Sequence, residues 1–325
     1  MTTTTLATEL EQTIRGDARF DDMSRALYAT DASIYQIAPV GVVAPRDEAD
    51  VAAVLRAARK FGVPIVARGG GTSLAGQAIG EAIQLDFSKY MNRVLEVNVE
   101  QGWAWIEPGV VLDVLNAQLA PLGVKFAPDV SPSNRATVGG MIGNNSSGMY
   151  SVVYGKTIDH VLELRVMLAD GSLVELGPLS AEELREKLQL DSLEGRAYRT
   201  VSRLAREHAD EIAARYPKVL RRVGGYNLDA FVPADNDTYG QWPHQPGPFN
   251  MARMLVGSEG TLGVMVAAKI RLVERPKQTV IGILAFGTLD EALDAVVPCL
   301  ECKPSAVELM DDILLDLTRR SPEYS

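Results

Sequence analysis

With 325 residues, 46% hydrophobic and 23% charged, the chain is long enough to bury a sizeable core and form one large domain or two. Its 32 basic and 42 acidic residues leave a net charge of −10 without any basic stripe, so nucleic acid and anionic membrane surfaces are excluded as expected partners. No stretch approaches the ~18 apolar residues of a membrane span, the start MTTTTLATELEQTIRGD has no basic region followed by an apolar one, and the cytoplasm is the expected compartment.

In chain order, DEADVAAVLRAARKFG predicts an amphipathic helix with Val51, Val54, Leu55 and Ala58 on one face, acids in its first turn, Arg56, Arg59 and Lys60 in its last, and Gly62 as its stop. The β-branched run around Val63–Ala67 predicts a buried strand, followed at once by the loop in VARGGGTSLAG, residues 66–76. Its glycines allow successive amides to point into one concavity, as phosphate oxygens require. Two familiar phosphate loops fail here. A P-loop running from Gly71 to Gly76 meets Gln77 and Ala78 where Lys and Ser/Thr are needed, and a dinucleotide fingerprint starting at Gly69 meets Leu74 where a small residue is needed.

Short strands follow in AIQLDF, RVLEVNVE and GWAWIEPG, the last two joined like a hairpin through Gln101 and Gly102. A helix carrying Val111, Leu112, Leu115 and Leu119 leads to TVGGMIGNNSSGMYSVVYGKTIDH, residues 137–160. This segment is polar and glycine-rich enough to predict a loop or binding surface rather than a core element, with Asn144, Asn145, Ser146 and Ser147 as side-chain donors and acceptors. HVLELRVML predicts the next strand. Cys299 and Cys302, in PCLECKP, supply half of a typical four-thiolate site and are assigned no function, and no metal site is expected. His208 shares a helix stripe with Val201, Leu204 and Ile212 and is expected to be packed or half-buried. His160 is expected to orient a strand end, and His244 lies in the proline-rich stretch QWPHQPGP.

GGGTSLAG, APD, TVGGMIGNNSSG, YGKTIDHVLELRVMLADG and LVGSEGTLGVMVAAKIRL, in this order and spacing, resemble the FAD-linked oxidases of the vanillyl-alcohol-oxidase and p-cresol-methylhydroxylase (PCMH) type, and within them the D-lactate, glycolate and D-2-hydroxyglutarate dehydrogenases. The resemblance covers about residues 36–310. It implies an α+β fold: an N-terminal helical segment (1–35), a two-lobed PCMH-type FAD-binding domain (36–275) with a small βαβ lobe (36–92) and a larger mixed lobe (93–275), and the beginning of an α/β cap (276–325).

Carried over residue by residue, the resemblance implies that Arg68, Gly69, Gly70, Gly71, Thr72, Ser73 and Gly76 wrap the FAD pyrophosphate. Pro128, Asp129, Thr137, Gly139, Gly140, Asn144, Ser147 and Gly148 line the flavin and its ribityl chain, Gly155, Asp159 and Val161 follow, and Glu259 and Gly260 close the site. Valine at Gly70 or Gly140 is expected to set a Cβ against the cofactor while leaving much of the fold intact. With no histidine in the first loop, FAD is expected to be noncovalent. In RRVGGYNLDAF the two arginines, Arg221 and Arg222, suit a carboxylate and Tyr226 and Asn227 resemble a family Gly-Tyr-Asn/Asp element, so Arg222, Tyr226 and Asn227 are the substrate-side candidates.

The implied reaction removes a hydride from C2 of a 2-hydroxyacid to flavin N5. The catalytic base, the carboxylate-binding cation and any metal motif belong by resemblance to a later part of the cap, of which RPKQTVIGILAFGTLDEALDAVV supplies a first strand and helix and SAVELMDDILLDL the next elements, so a fragment of a longer protein is expected. The electron acceptor is left open between a fused iron–sulfur domain, a quinone and another flavoprotein. Two other readings remain open: a flavin-binding module without turnover, and a flavin reductase of the same fold reduced by a nicotinamide.

Overall fold

The computed structural model describes residues 3–234, 238–239 and 247–322, so His244 and much of its proline-rich stretch lie outside the described residues. The first lobe is built on a four-stranded sheet of β1 (Asp17–Arg19), β2 (Gly41–Ala44), β3 (Ile65–Arg68) and β4 (Ile83–Asp86), in spatial order β1-β2-β4-β3. β2, β4 and β3 run parallel, which requires a crossover, and the Glu48–Phe61 helix supplies it. That helix starts because the Asp47 side chain accepts from the amides of Ala49 and Asp50, and stops because Gly62 adopts φ 65°, as its sequence predicts. Its Val51, Val54, Ala57 and Ala58 face the sheet and are buried.

Residues 3–35 do not stand apart from this lobe. Leu6 and Leu10 of the Thr3–Thr13 helix are buried in the same core, each contributing about 1.5–3 kcal/mol of burial. β1 pairs antiparallel with β2, and the buried Asp50 carboxylate accepts from the amides of Arg15, Gly16 and Arg46 at 2.8–2.9 Å. Apolar contacts and a buried hydrogen-bond node, neither visible as local periodicity, draw the segment in.

The second lobe is an antiparallel five-stranded sheet in the order Val94–Asn98, Trp103–Ile106, Val264–Arg271, Val161–Met167, Leu173–Leu176. The expected hairpin forms its first pair. The central strand, Val264–Arg271, comes last in sequence. Against this sheet pack the Leu112–Leu119 and Leu193–Glu207 helices, with Leu115, Leu119, Tyr198, Phe231 and Phe249 in one core. The lobes share apolar contacts, because Met167, Val264 and Val266 belong to the small-lobe core, and Arg165 forks onto Glu48 at 2.8 and 3.0 Å.

Beyond residue 275 the helices Leu289–Asp294, Val296–Glu301 and Asp312–Arg320 bury none of their residues, and Val280, Ile283, Val297 and Ile313 are exposed. The strand expected in TVIGILAF has no strand partner among the described residues; a strand without a neighbour has no ladder to hold it. No helix among the described residues is long and apolar enough to cross a membrane.

Candidate cofactor-binding cavity

A cavity of about 900 Å³ lies between the glycine loop and the second lobe. The loop leaves the carboxyl end of β3, where parallel sheets present ligands. Gly71, at φ 64°, bends it back, and its carbonyl accepts from the Ala32 amide. The amides of Gly69 to Ser73 donate no intramolecular hydrogen bond among the described residues, and this row of free donors is suited to phosphate oxygens.

Gly69 and Gly70 serve packing. A Cβ on Gly69 would overlap the Thr137 hydroxyl, and one on Gly70 the Arg135 carbonyl, so valine at Gly70 would collide with the protein's own backbone and displace the loop rather than only meet a cofactor. Gly140 differs. Among the described residues outside its own helical turn, a Cβ there would meet only Thr137 Oγ1, at 3.3 Å, and one on Gly143 or Gly260 would have no such atom within 4 Å.

Arg68 lines the cavity, but its guanidinium clamps the N-terminal segment. It donates to the carbonyls of Thr30 (2.8 Å) and Ala78 (3.0 Å), more distantly to Tyr28 (3.5 Å), and stacks on the Tyr28 ring. Burial lowers its pKa from the usual arginine value. The Tyr28 hydroxyl donates to buried Asp86 at 2.5 Å, and burial followed by this carboxylate raises the phenol's pKa.

The opposite wall is a surprise from composition. Val138–Asn144, expected as loop, is a helix: Thr137 caps it by accepting from the Gly140 amide, and Val138, Met141 and Ile142 fall at helical spacing into the core. Its glycines Gly139, Gly140 and Gly143 line the cavity. Their i, i+1, i+4 spacing was the signal for Gly143, which sequence reasoning passed over. The helix ends at Asn145, φ 54°, whose fully buried side chain accepts from the Ile158 amide and so pins the next turn rather than facing a ligand.

Of the sequence-derived cofactor positions, the loop residues Arg68 to Ser73 meet Asp129, Thr137, Gly139, Gly140, Asn144, Ser147, Gly148, Glu259 and Gly260 around this cavity. Gly76, Pro128, Gly155, Asp159 and Val161 are not in its lining. Gly76 turns the loop at φ 81°, Pro128 is buried, and Gly155, at φ 72°, packs on Asp159, whose carboxylate accepts from the Lys156 amide. Val161 belongs to the core. His160 is buried on the same corner, its Nε2 2.7 Å from the Tyr154 carbonyl, and burial lowers its pKa. His208 is exposed, joining two helices beside Glu211 rather than packing within a stripe.

The substrate-side candidates Arg222, Tyr226 and Asn227 are not in the cavity lining, and each has a partner within the protein. Arg222 is committed to Asp229 through a fork of 2.6 and 2.7 Å. Asn227 is buried and donates to the carbonyls of Arg253 and Val256, while the Tyr226 hydroxyl pairs with Thr261 at 2.8 Å. The neighbouring Arg221 lines the cavity instead. Gln77 was also missed. Its Nε2 lies 3.3 Å from Glu259 Oε1, joining the two sides of the cavity, and Glu259 itself sits at φ 50° with its amide donating to the Gly143 carbonyl. Ile142, Leu164, Leu255 and Met265 add apolar wall.

Free amides in the glycine loop, open glycines on the facing helix and apolar walls fit a long cofactor with phosphates at one part and a planar ring at another. Residues 39–177 match the family model of the FAD binding domain. These residues are therefore similar to an FAD binding domain, and the cavity walls at Gly69–Ser73 and Thr137–Gly148 lie within that match. The chain is 38% identical over 319 residues to D-2-hydroxyglutarate dehydrogenase of Pantoea ananatis, covering 97% of this chain and 30% of that protein. The Escherichia coli protein of the same name is likewise 38% identical, and glycolate oxidase subunit GlcD of Bacillus subtilis is 29% identical over 92% of this chain and 52% of its own length. A solved alkyldihydroxyacetonephosphate synthase shares the fold at TM-score 0.63 and 20% identity, over 93% of this chain and 47% of that one. The chain thus spans about a third of the D-2-hydroxyglutarate dehydrogenases it matches.

Proposed function

We propose that this chain is the flavin-binding part of an FAD-dependent dehydrogenase of D-2-hydroxyacids, with D-2-hydroxyglutarate as the first substrate to test. The row of unpaired amides from Gly69 to Ser73, opposite the open glycines of the Val138–Asn144 helix, carries the reading. The relatives at 37–38% identity support the substrate class.

Bound FAD supplies a hydride acceptor for the C2–H of the substrate. The loop amides hold the pyrophosphate without the steric cost of side chains, and Arg68 keeps the loop in register from behind. Asp129, Thr137, Asn144, Ser147 and Glu259 orient the polar edge and chain of the cofactor, and Ile142, Leu164 and Met265 exclude water from its ring. The loop residues Gly71, Thr72 and Ser73 offer no histidine for covalent attachment, so the flavin is held noncovalently. In this reading the lobes run through residues 36–92 and 93–275, with residues 3–35 packed onto the first lobe and residues 276–322 following the second.

The test is to add FAD, desalt, and record the visible spectrum, then add D-2-hydroxyglutarate, D-lactate, glycolate or NADPH without oxygen. Retained, acid-releasable flavin bleached by a hydroxyacid supports the reading. Bleaching by NADPH alone replaces it with a reductase, and retained flavin that no hydroxyacid bleaches limits these residues to cofactor binding. A folded, colourless protein removes the cavity assignment.

A further inference from the structure

We propose that Gln77, which no motif resemblance selected, is a positioning residue for the cofactor: with Glu259 it forms a gate across the mouth of the cavity that sets how fast flavin enters and leaves. The inference rests on the cavity being the flavin site proposed above.

Gln77 and Glu259 stand 182 residues apart in the chain and line facing walls, where Gln77 Nε2 donates to Glu259 Oε1 at 3.3 Å. Each side is held for this contact. Gln77 Oε1 accepts from the Ala75 amide at 3.2 Å, so both contacts require the same orientation of the side-chain amide. Glu259 sits at φ 50°, a left-handed backbone that residues with side chains rarely adopt, and its amide donates to the Gly143 carbonyl at 3.0 Å. Such a conformation persists only where its surroundings impose it, and here it carries the carboxylate from the end of the Val138–Asn144 helix to the loop.

The glycine loop is fixed at both ends. Gly69 and Gly70 pack on Thr137 and Arg135, the Gly71 carbonyl accepts from the Ala32 amide, and Arg68 holds the Ala78 carbonyl at 3.0 Å. Among the described residues, the bond from Gln77 to Glu259 is the one hydrogen bond that ties residues 72–77 to the large lobe. Leu74, 79% exposed, and Ala75 place this middle stretch at the rim, with solvent outside and the cavity inside.

A cofactor seated on the amides of Gly69 to Ser73 and against Gly140 and Gly143 lies between the two walls, and its exit requires them to part. An exposed hydrogen bond to a carboxylate is weak, so the pair controls passage more than affinity. A gate acts on both directions alike: opening it raises entry and release together, whereas loss of a cofactor contact raises release alone.

The experiment measures both rates by flavin fluorescence, mixing the chain with FAD and diluting the FAD-loaded chain. Gln77→Ala and Glu259→Ala are each expected to raise entry and release by roughly 2- to 10-fold, with equilibrium affinity held within about twofold, and the double variant to add little to either. Gln77→Glu sets two carboxylates against each other and should also exchange quickly, while its combination with Glu259→Gln reverses donor and acceptor and should restore slow exchange. Unchanged rates in Gln77→Ala, faster release without faster entry, additive effects in the double variant, or no recovery in the reversed pair overturns the gate and leaves the flavin assignment standing. Failure of the unsubstituted chain to bind FAD removes the proposed function and the gate with it, and shows before any variant is compared.

Discussion

Gly143→Val separates cofactor space from fold stability more cleanly than any change in the glycine loop. Among the described residues, no atom outside its own helical turn lies within 4 Å of a Cβ at this position, so the new side chain extends into the cavity without displacing them. In the helix Val138–Asn144, removing glycine gains at most about 1 kcal/mol and valine returns roughly 0.6 of it, so the apo protein should unfold within about 0.5 kcal/mol of the original. Cofactor forced past the added methyls loses about 1–3 kcal/mol, a 5- to 150-fold weaker complex. The assay is urea unfolding of the apo protein beside a flavin-fluorescence titration with FAD. Unchanged FAD affinity, with the valine protein folded, would refute the placement of cofactor against this helix, and a large loss of apo stability would refute the open geometry of Gly143.

Gly70→Val should behave oppositely, destabilising the apo protein measurably in the same unfolding assay because its Cβ overlaps the Arg135 carbonyl. Arg68→Met should lower stability by about 2 kcal/mol or more by stranding the carbonyls of Thr30 and Ala78, and should weaken FAD in parallel; an unchanged urea midpoint would contradict the clamp. Arg222→Ala leaves the Asp229 carboxylate, 13% exposed, without its fork and should cost about 3–5 kcal/mol, whereas Arg221→Ala should cost close to nothing in the same unfolding experiment. His160 gives a pH signature. Its pKa is lowered in the fold from the ordinary 6.5, so below that value the unfolded chain binds the extra proton and stability falls by up to about 1.4 kcal/mol per pH unit until the folded pKa is passed. His160→Gln should flatten the difference between urea midpoints at pH 5 and pH 7, and an identical slope would remove the assignment.

What could be read in the sequence was whatever local pattern controls. Asp47 and Gly62 mark the ends of their helix, and β-branched runs mark β3 and the hairpin. The glycine loop and the polar segment after Thr137 were both visible as site material. The secondary structure of that segment was not, because three glycines in seven residues conceal the Val138, Met141, Ile142 spacing that buries it. Nor does sequence say which of two adjacent arginines turns inward; Asp229, seven residues on, captures Arg222 and leaves its neighbour to the cavity. The contact between Gln77 and Glu259 joins residues far apart in the chain, and no local rule pairs them.

The placement of Val264–Arg271 in the middle of the large sheet dictates an order of events during synthesis. The strands on either side of it, Trp103–Ile106 and Val161–Met167, emerge from the ribosome long before it and have no ladder partner on their facing edges until it arrives. Val264 and Val266 also complete the small-lobe core that Leu6 and Leu10 begin. Neither lobe finishes before that strand is made, and the growing chain carries two open strand edges while the residues between Met167 and Val264 are added, a state prone to intermolecular pairing. A stalled or truncated chain lacking this one strand is thus expected to aggregate, whereas a chain released just beyond it closes both lobes in a single step.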